Sequence, residues 1–126
     1  MLGGQFEMRK NEYNSLDEFL SQYIGIWGPS DGHWFGLDFL YKGKEYRLNT
    51  GTMYGEKDKT DDNGNIIQFG LYRKTNKKDP KHPNIYLYEL LDEKESVVAL
   101  LDSLAIEGIP FRDVIMDDET VMLGQD

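Results

Sequence analysis

Hydrophobic positions repeat first at helical and then at alternating spacing along the first half of this chain. Leu16, Phe19, Leu20, Tyr23 and Ile24 fall on one face of a 3.6-residue repeat. Ser15 and Glu18 supply a Ser-x-x-Glu capping box in front of them. The pattern predicts an amphipathic helix over about 15–25, ended by Gly25, Gly28, Pro29 and Gly32. Alternation follows, with Phe35, Leu37, Phe39 and Tyr41 pointing one way and Trp34, Asp38 and Leu40 the other. Lys42-Gly43-Lys44 reads as a tight turn into a second strand carrying Tyr46, Leu48 and Thr50. A turn at Asp61-Asp62-Asn63-Gly64-Asn65 precedes a third strand with Ile67, Phe69 and Leu71.

The basic stretch from Arg73 to Lys81, followed by Pro83, reads as a loop, and Ile85 to Tyr88 as a fourth strand. Asp92 to Glu95 then offer caps for a second helix, in which Val97, Leu101, Leu104 and Ala105 share a face before Gly108 stops it. Ile109 to Met116 is apolar enough for a short fifth strand, with Pro110 making its start irregular. The expected architecture is one α+β domain over residues 1–126: N-terminal helix, four-stranded antiparallel meander, second helix, short fifth strand. Residues 1–12 and 117–126 are expected to be flexible.

One consequence of the alternation bears on function. If Phe35, Leu37, Phe39, Ile85 and their in-phase neighbours pack under the helices, the opposite face carries Trp34, Leu40, Ile66, Tyr72, Tyr86 and Tyr88. That is more aromatic than an ordinary solvated sheet face. A helix on each face or a homodimer would cover it; otherwise it is a surface for a partner or ligand, for which Tyr and Trp are favoured.

Charge adds a polarity. Residues 89–126 hold 11 acidic side chains against Lys94 and Arg112, while the rest of the chain balances, so this segment carries the whole formal charge of -9. Just before it lie Arg73, Lys74, Lys77, Lys78 and Lys81. A bipolar surface fits an electrostatically steered partner. The chain has no cysteine, which excludes thiolate catalysis, CxxC redox chemistry and cysteine-ligated zinc. Its first residues lack the apolar core of a signal peptide, and no apolar run approaches membrane-spanning length. A soluble cytoplasmic protein is expected, with a bacterial source as the default.

Chemistry-bearing residues are sparse. His33 and His82 are the only histidines, and neither has metal-ligand spacing to other donors. Ser30, Asp31 and His33 are neighbours in sequence, which fits a turn better than a triad, whose members must meet in a hydrogen-bonded row. The Asp58–Asn65 region lacks the first and twelfth ligands of a calcium loop. Asp38, placed among apolar strand residues, either titrates unusually in a cleft or faces solvent or pairs with a basic residue of the next strand. No metal site and no cofactor is expected.

The function expected is a non-enzymatic protein-binding module of accessory, immunity or inhibitor type. Its acidic surface, Asp113, Asp117, Asp118 and Glu119, would meet a basic protein partner. Its aromatic face, Trp34, Tyr72, Tyr86 and Tyr88, would supply the apolar contact or close a homodimer. A small-ligand domain with a pocket walled by Trp27, His33 and Trp34 is the alternative. A nucleic-acid mimic, or a hydrolase using Asp38, His33 or His82, ranks below both. Direct nucleic-acid binding would use the Arg73–Lys81 cations and the nearby tyrosines, and the acidic balance opposes it.

Overall fold

Alternation becomes a sheet because the first three strands bury one face against the same helical layer. The computed structural model describes residues 13–24, 36–51, 60, 62–64 and 68–125. Its strands are β1 (Gly36–Tyr41), β2 (Lys44–Thr50), β3 (Phe69–Asp79), β4 (His82–Lys94) and β5 (Thr120–Gln125). They form one antiparallel sheet in the order β4-β3-β2-β1-β5. The helical segments are short: α1 (Leu16–Phe19), continued by a π-helical turn over Leu20–Ile24, α2 (Val97–Leu100) and α3 (Phe111–Met116). The described fold is therefore mixed α+β.

Leu37, Phe39 and Tyr41 of β1, Tyr46 and Leu48 of β2, and Phe69 and Leu71 of β3 share a buried core with Phe19, Leu100, Phe111, Val114 and Ile115. Within it the Phe39 ring stacks on Tyr46 at 5.4 Å and lies 5.9 Å from Phe111. Tyr13 packs edge-on against Phe19, and its buried hydroxyl donates to the Ile115 carbonyl at 2.7 Å. That bond satisfies a polar group that would otherwise be costly to bury. Ser15 and Ser96 cap α1 and α2 by accepting the Glu18 and Ala99 amides.

Four expectations need correction. The Arg73–Lys81 stretch is strand rather than loop: β3 runs through it to Asp79, and only Pro80 and Lys81 turn the chain into β4. Its cations sit in the ladder because acids oppose them, Arg73 bonding Glu89 and Lys74 lying 3.4 Å from Glu45. Pro83 is tolerated because β4 is an edge strand.

Ile109–Met116 is not a strand. Phe111, Val114 and Ile115 follow i, i+3, i+4 spacing, and Phe111–Met116 coils so that all three enter the core. The second helix shrinks to the turn Val97–Leu100, because Asp92 to Lys94 finish β4 and Leu104 is exposed. After it the chain is held irregularly, Phe111 donating its amide to the Ser103 carbonyl at 2.8 Å and Arg112 to that of Leu101 at 2.9 Å. Finally, the segment expected to be a flexible tail contains β5, which pairs with β1 from Tyr41↔Thr120 to Leu37↔Gln125. Thr120 is buried there, with its hydroxyl on the Val114 carbonyl.

Candidate functional site

The sheet face turned away from the core is ordered as rows, which follow from the ladder registers. One row crosses β1 to β4 as Asp38, Arg47, Tyr72 and Leu90. The next runs from Val121 through Leu40, Glu45 and Lys74 to Tyr88. Three of the four residues expected on an aromatic face, Tyr72, Tyr86 and Tyr88, belong to the β3–β4 side of it. Trp34 lies outside the described residues.

Between the tyrosines and β1 the face is ionic. Arg47 donates from one terminal nitrogen to both Asp38 oxygens, at 3.0 and 3.1 Å, and from Nε to Asn49 at 3.0 Å. Asp38 thus pairs with a base on the second strand, the plainer of its two readings. Arg47 and Asn49 are buried. Gly36 makes room for this arrangement, since a side chain there would meet the guanidinium. Gly70 serves Tyr72 similarly: its missing Cβ would lie 2.5 Å from the Tyr72 ring. Tyr88 is held near Glu45 Oε2 at 3.4 Å, and its hydroxyl pKa is pushed up to about 12, first by burial and then by the charges of Asp38 and Glu45. Sequence reading missed Glu45, Arg47 and Asn49; their strict alternation with Tyr46 and Leu48 was the available signal.

Beyond this face the β3–β4 hairpin overhangs the sheet. β2 begins at Lys44, so β3 residues after Lys74 have no partner on that side among the described residues. The register then slips between Lys74 and Lys78, producing a bulge that Thr75 stitches by donating its hydroxyl to the Leu87 carbonyl at 2.8 Å. Lys74 and Lys78 lie over the Tyr86 ring, their ammonium nitrogens 4.9 and 5.6 Å from its centroid. Ile85 was expected under the helices, yet it is 53% exposed, with Leu90 at 50% and Tyr86 at 37%. The overhang carries Ile85 beyond the helical layer.

The four acidic residues expected to meet a partner lie toward the opposite edge. Asp113 is exposed in the first turn of α3, and Asp117, Asp118 and Glu119 form the turn into β5. Asp117 shapes that turn by accepting the Glu119 amide at 2.8 Å. Sheet order separates β5 from β3 by three interstrand spacings, roughly 14 Å. Acidic turn and tyrosines are therefore not one patch. A further share of the C-terminal acidity is spent internally: Glu89 meets Arg73, Asp102 meets Arg112 and Glu107 meets Lys44.

Catalytic constellations are thin among the described residues. No group of three or more His, Asp or Glu side chains converges there to hold a metal ion. His82 is exposed at the start of β4. An open depression of about 480 Å³ lies where the Gly43–Glu45 turn meets the base of the arm, with Arg73 and Lys74 on its wall. The pocket envisaged around Trp27, His33 and Trp34 lies outside the described residues. No helix among them is long and apolar enough to cross a membrane. No protein family matches the chain, and neither does any curated protein or solved structure.

Proposed function

We propose that this chain is a non-enzymatic protein-binding module. The observation that supports it best is the β4 edge. Tyr86 and Leu90 stand exposed on one face, and Ile85 on the other, of a strand whose outer side has no described neighbour, while Leu37, Phe39, Tyr41, Tyr46, Leu48, Phe69 and Leu71 of β1 to β3 are sealed in one core. Exposed aromatic and aliphatic side chains flanked by charge are the composition of a docking surface. The acidic turn, Asp113, Asp117, Asp118 and Glu119, offers a second contact, electrostatic in kind and suited to a basic protein.

Single-stranded nucleic acid is the less favoured occupant of the arm. Tyr86 would have to offer its ring to a base, and Lys74 and Lys78 already lie over that ring.

Capture from a cell extract tests the acidic contact, using the wild-type chain and a variant carrying Asp113→Asn, Asp117→Asn, Asp118→Asn and Glu119→Gln. Asn at 117 keeps an oxygen for the Glu119 amide, so the turn survives the change. The wild type should retain a basic protein at low salt and release it at moderate salt, and the variant should bind it about tenfold more weakly, a difference of about 1.4 kcal/mol. Equal retention by both chains would remove the acidic turn from the proposal.

A further inference from the structure

β4 has the features of a strand that pairs with its own kind. It is 13 residues long, about 44 Å at 3.4 Å per residue, where strands of five or six residues are usual. It ends the strand order, and no described strand covers its outer side. Natural edges are guarded by proline, lysine or bulges. Here Pro83 and the lysines of the arm sit toward one end, and although the β3–β4 ladder is irregular at Lys74–Lys78 and at Leu71–Tyr72, no proline or lysine lies in Ile85 to Leu91.

Its sequence is also self-complementary. In an antiparallel pairing centred on Tyr88, Ile85 meets Leu91, Tyr86 meets Leu90, and Tyr88 meets its own copy. Charge agrees with this register. The hairpin end of β4 lies beside Lys77, Lys78 and Lys81 with Asp79 among them, whereas its other end carries Asp92, Glu93 and Glu95 with Lys94, 3.8 Å from Asp92, among them, so the first end is net basic and the second net acidic. Antiparallel pairing sets each basic end against an acidic end, twice per contact. Glu89, near the centre, is already neutralised by Arg73. A parallel arrangement would oppose like ends.

We infer that β4 pairs edge to edge with β4 of a second copy, joining two five-stranded sheets into one of ten strands. This rests on the protein-binding reading and names the partner for that edge. The twofold axis of such a pair runs perpendicular to the sheet, so the two tyrosine-bearing faces lie on the same side. The dimer therefore presents Tyr86 and Tyr88 twice on one continuous surface, with Tyr72 buried beneath, and carries the acidic turns at its two far edges.

The absence of cysteine makes a decisive test simple. The full chain is sized by light scattering, and single variants Tyr88→Cys, Asn84→Cys, Asp92→Cys and Leu123→Cys are treated with a short thiol-specific cross-linker. The expected result is twice the monomer mass, falling toward the monomer as salt rises. Tyr88→Cys should cross-link to itself, Asn84→Cys should link to Asp92→Cys when the two are mixed, and Leu123→Cys on β5 should not react. A double variant, Ile85→Lys with Leu90→Lys, should be monomeric with an unchanged circular dichroism spectrum. If it unfolds instead, the cross-linking pattern still decides.

A monomer up to about 1 mM, where any association is weaker than about 4 kcal/mol, overturns the pairing. So does preferred cross-linking at Leu123→Cys. A monomer that still captures a basic protein sinks this inference and leaves the binding function standing. A cross-linked dimer that captures nothing supports the pairing and removes the function.

Discussion

Arg47 shows how one residue can organise a sheet face. Its guanidinium is buried, shared between Asp38 and Asn49, and laid over Gly36 where a Cβ would collide with it. Moving the guanidinium aside would strand Asp38, whose side chain is only 23% exposed. Gly36→Ala should therefore destabilise the fold by about 2 kcal/mol rather than gain from a stiffer unfolded chain. Urea denaturation checks it, and a stability equal to or above the wild type would refute the pinning of Arg47. Sequence reading could place Asp38 opposite the second strand, since alternation and the Lys42-Gly43 turn fix that register. It could not see that Gly36 and Arg47 need each other, because the two are brought together only by the ladder.

At the scale of elements, legibility followed period. Strict alternation over Leu37 to Tyr41 and Tyr46 to Thr50 made β1 and β2 readable, along with their buried sides. Where two periods fit the same residues, the reading failed: Phe111, Val114 and Ile115 satisfy a helix, and Ile109 to Met116 also satisfied a short apolar strand. β3 was cut short because lysines look like loop, although their long stems lie comfortably along a strand when acids stand opposite. Turn chemistry yields a prediction here. Lys42 and Gly43 join β1 to β2 with φ of 51° and 81°, a turn needing positive φ at both positions. Glycine takes this freely and lysine does not, so Lys42→Asn should stabilise the protein by about 0.5–1 kcal/mol. A melting temperature raised by a few degrees is the expected reading, and a lowered one would mean that the lysine side chain contributes more than its backbone costs.

For the molecule as a whole, two tyrosines on opposite faces of the sheet set a limit at high pH. Tyr88 holds its proton to about pH 12, mainly through burial, and Tyr46 is raised in the same direction, again first by burial. In the unfolded chain tyrosine ionises near 10. Below that both states keep the proton and stability is unaffected; between about 10 and 12 the unfolded chain releases it first, and stability falls. Tyr88→Phe should make that fall shallower by up to about 1 kcal/mol at pH 11, allowing for the ring's partial exposure to solvent. Denaturation at pH 8, 10 and 11 measures it, and parallel curves for the two proteins would refute the assignment. The candidate site was legible only in part for a reason of this same scale. Tyrosines and charge runs are visible in sequence, whereas their distribution to opposite edges depends on strand order.

The position of β5 beside β1 bears on how the protein is made. A growing chain that has reached Lys94 possesses every strand from β1 to β4, yet β1 still has one bare side, and Tyr13 still waits for a carbonyl 102 residues further on. Contacts so distant along the chain slow folding and prolong the exposure of unpaired edges. During that interval β1, later covered by β5, is as open to other chains as β4 is afterwards. Synthesis of residues 120–125 is thus the moment at which β1 gives up its open side and the six-residue β5 takes its place at the end of the sheet.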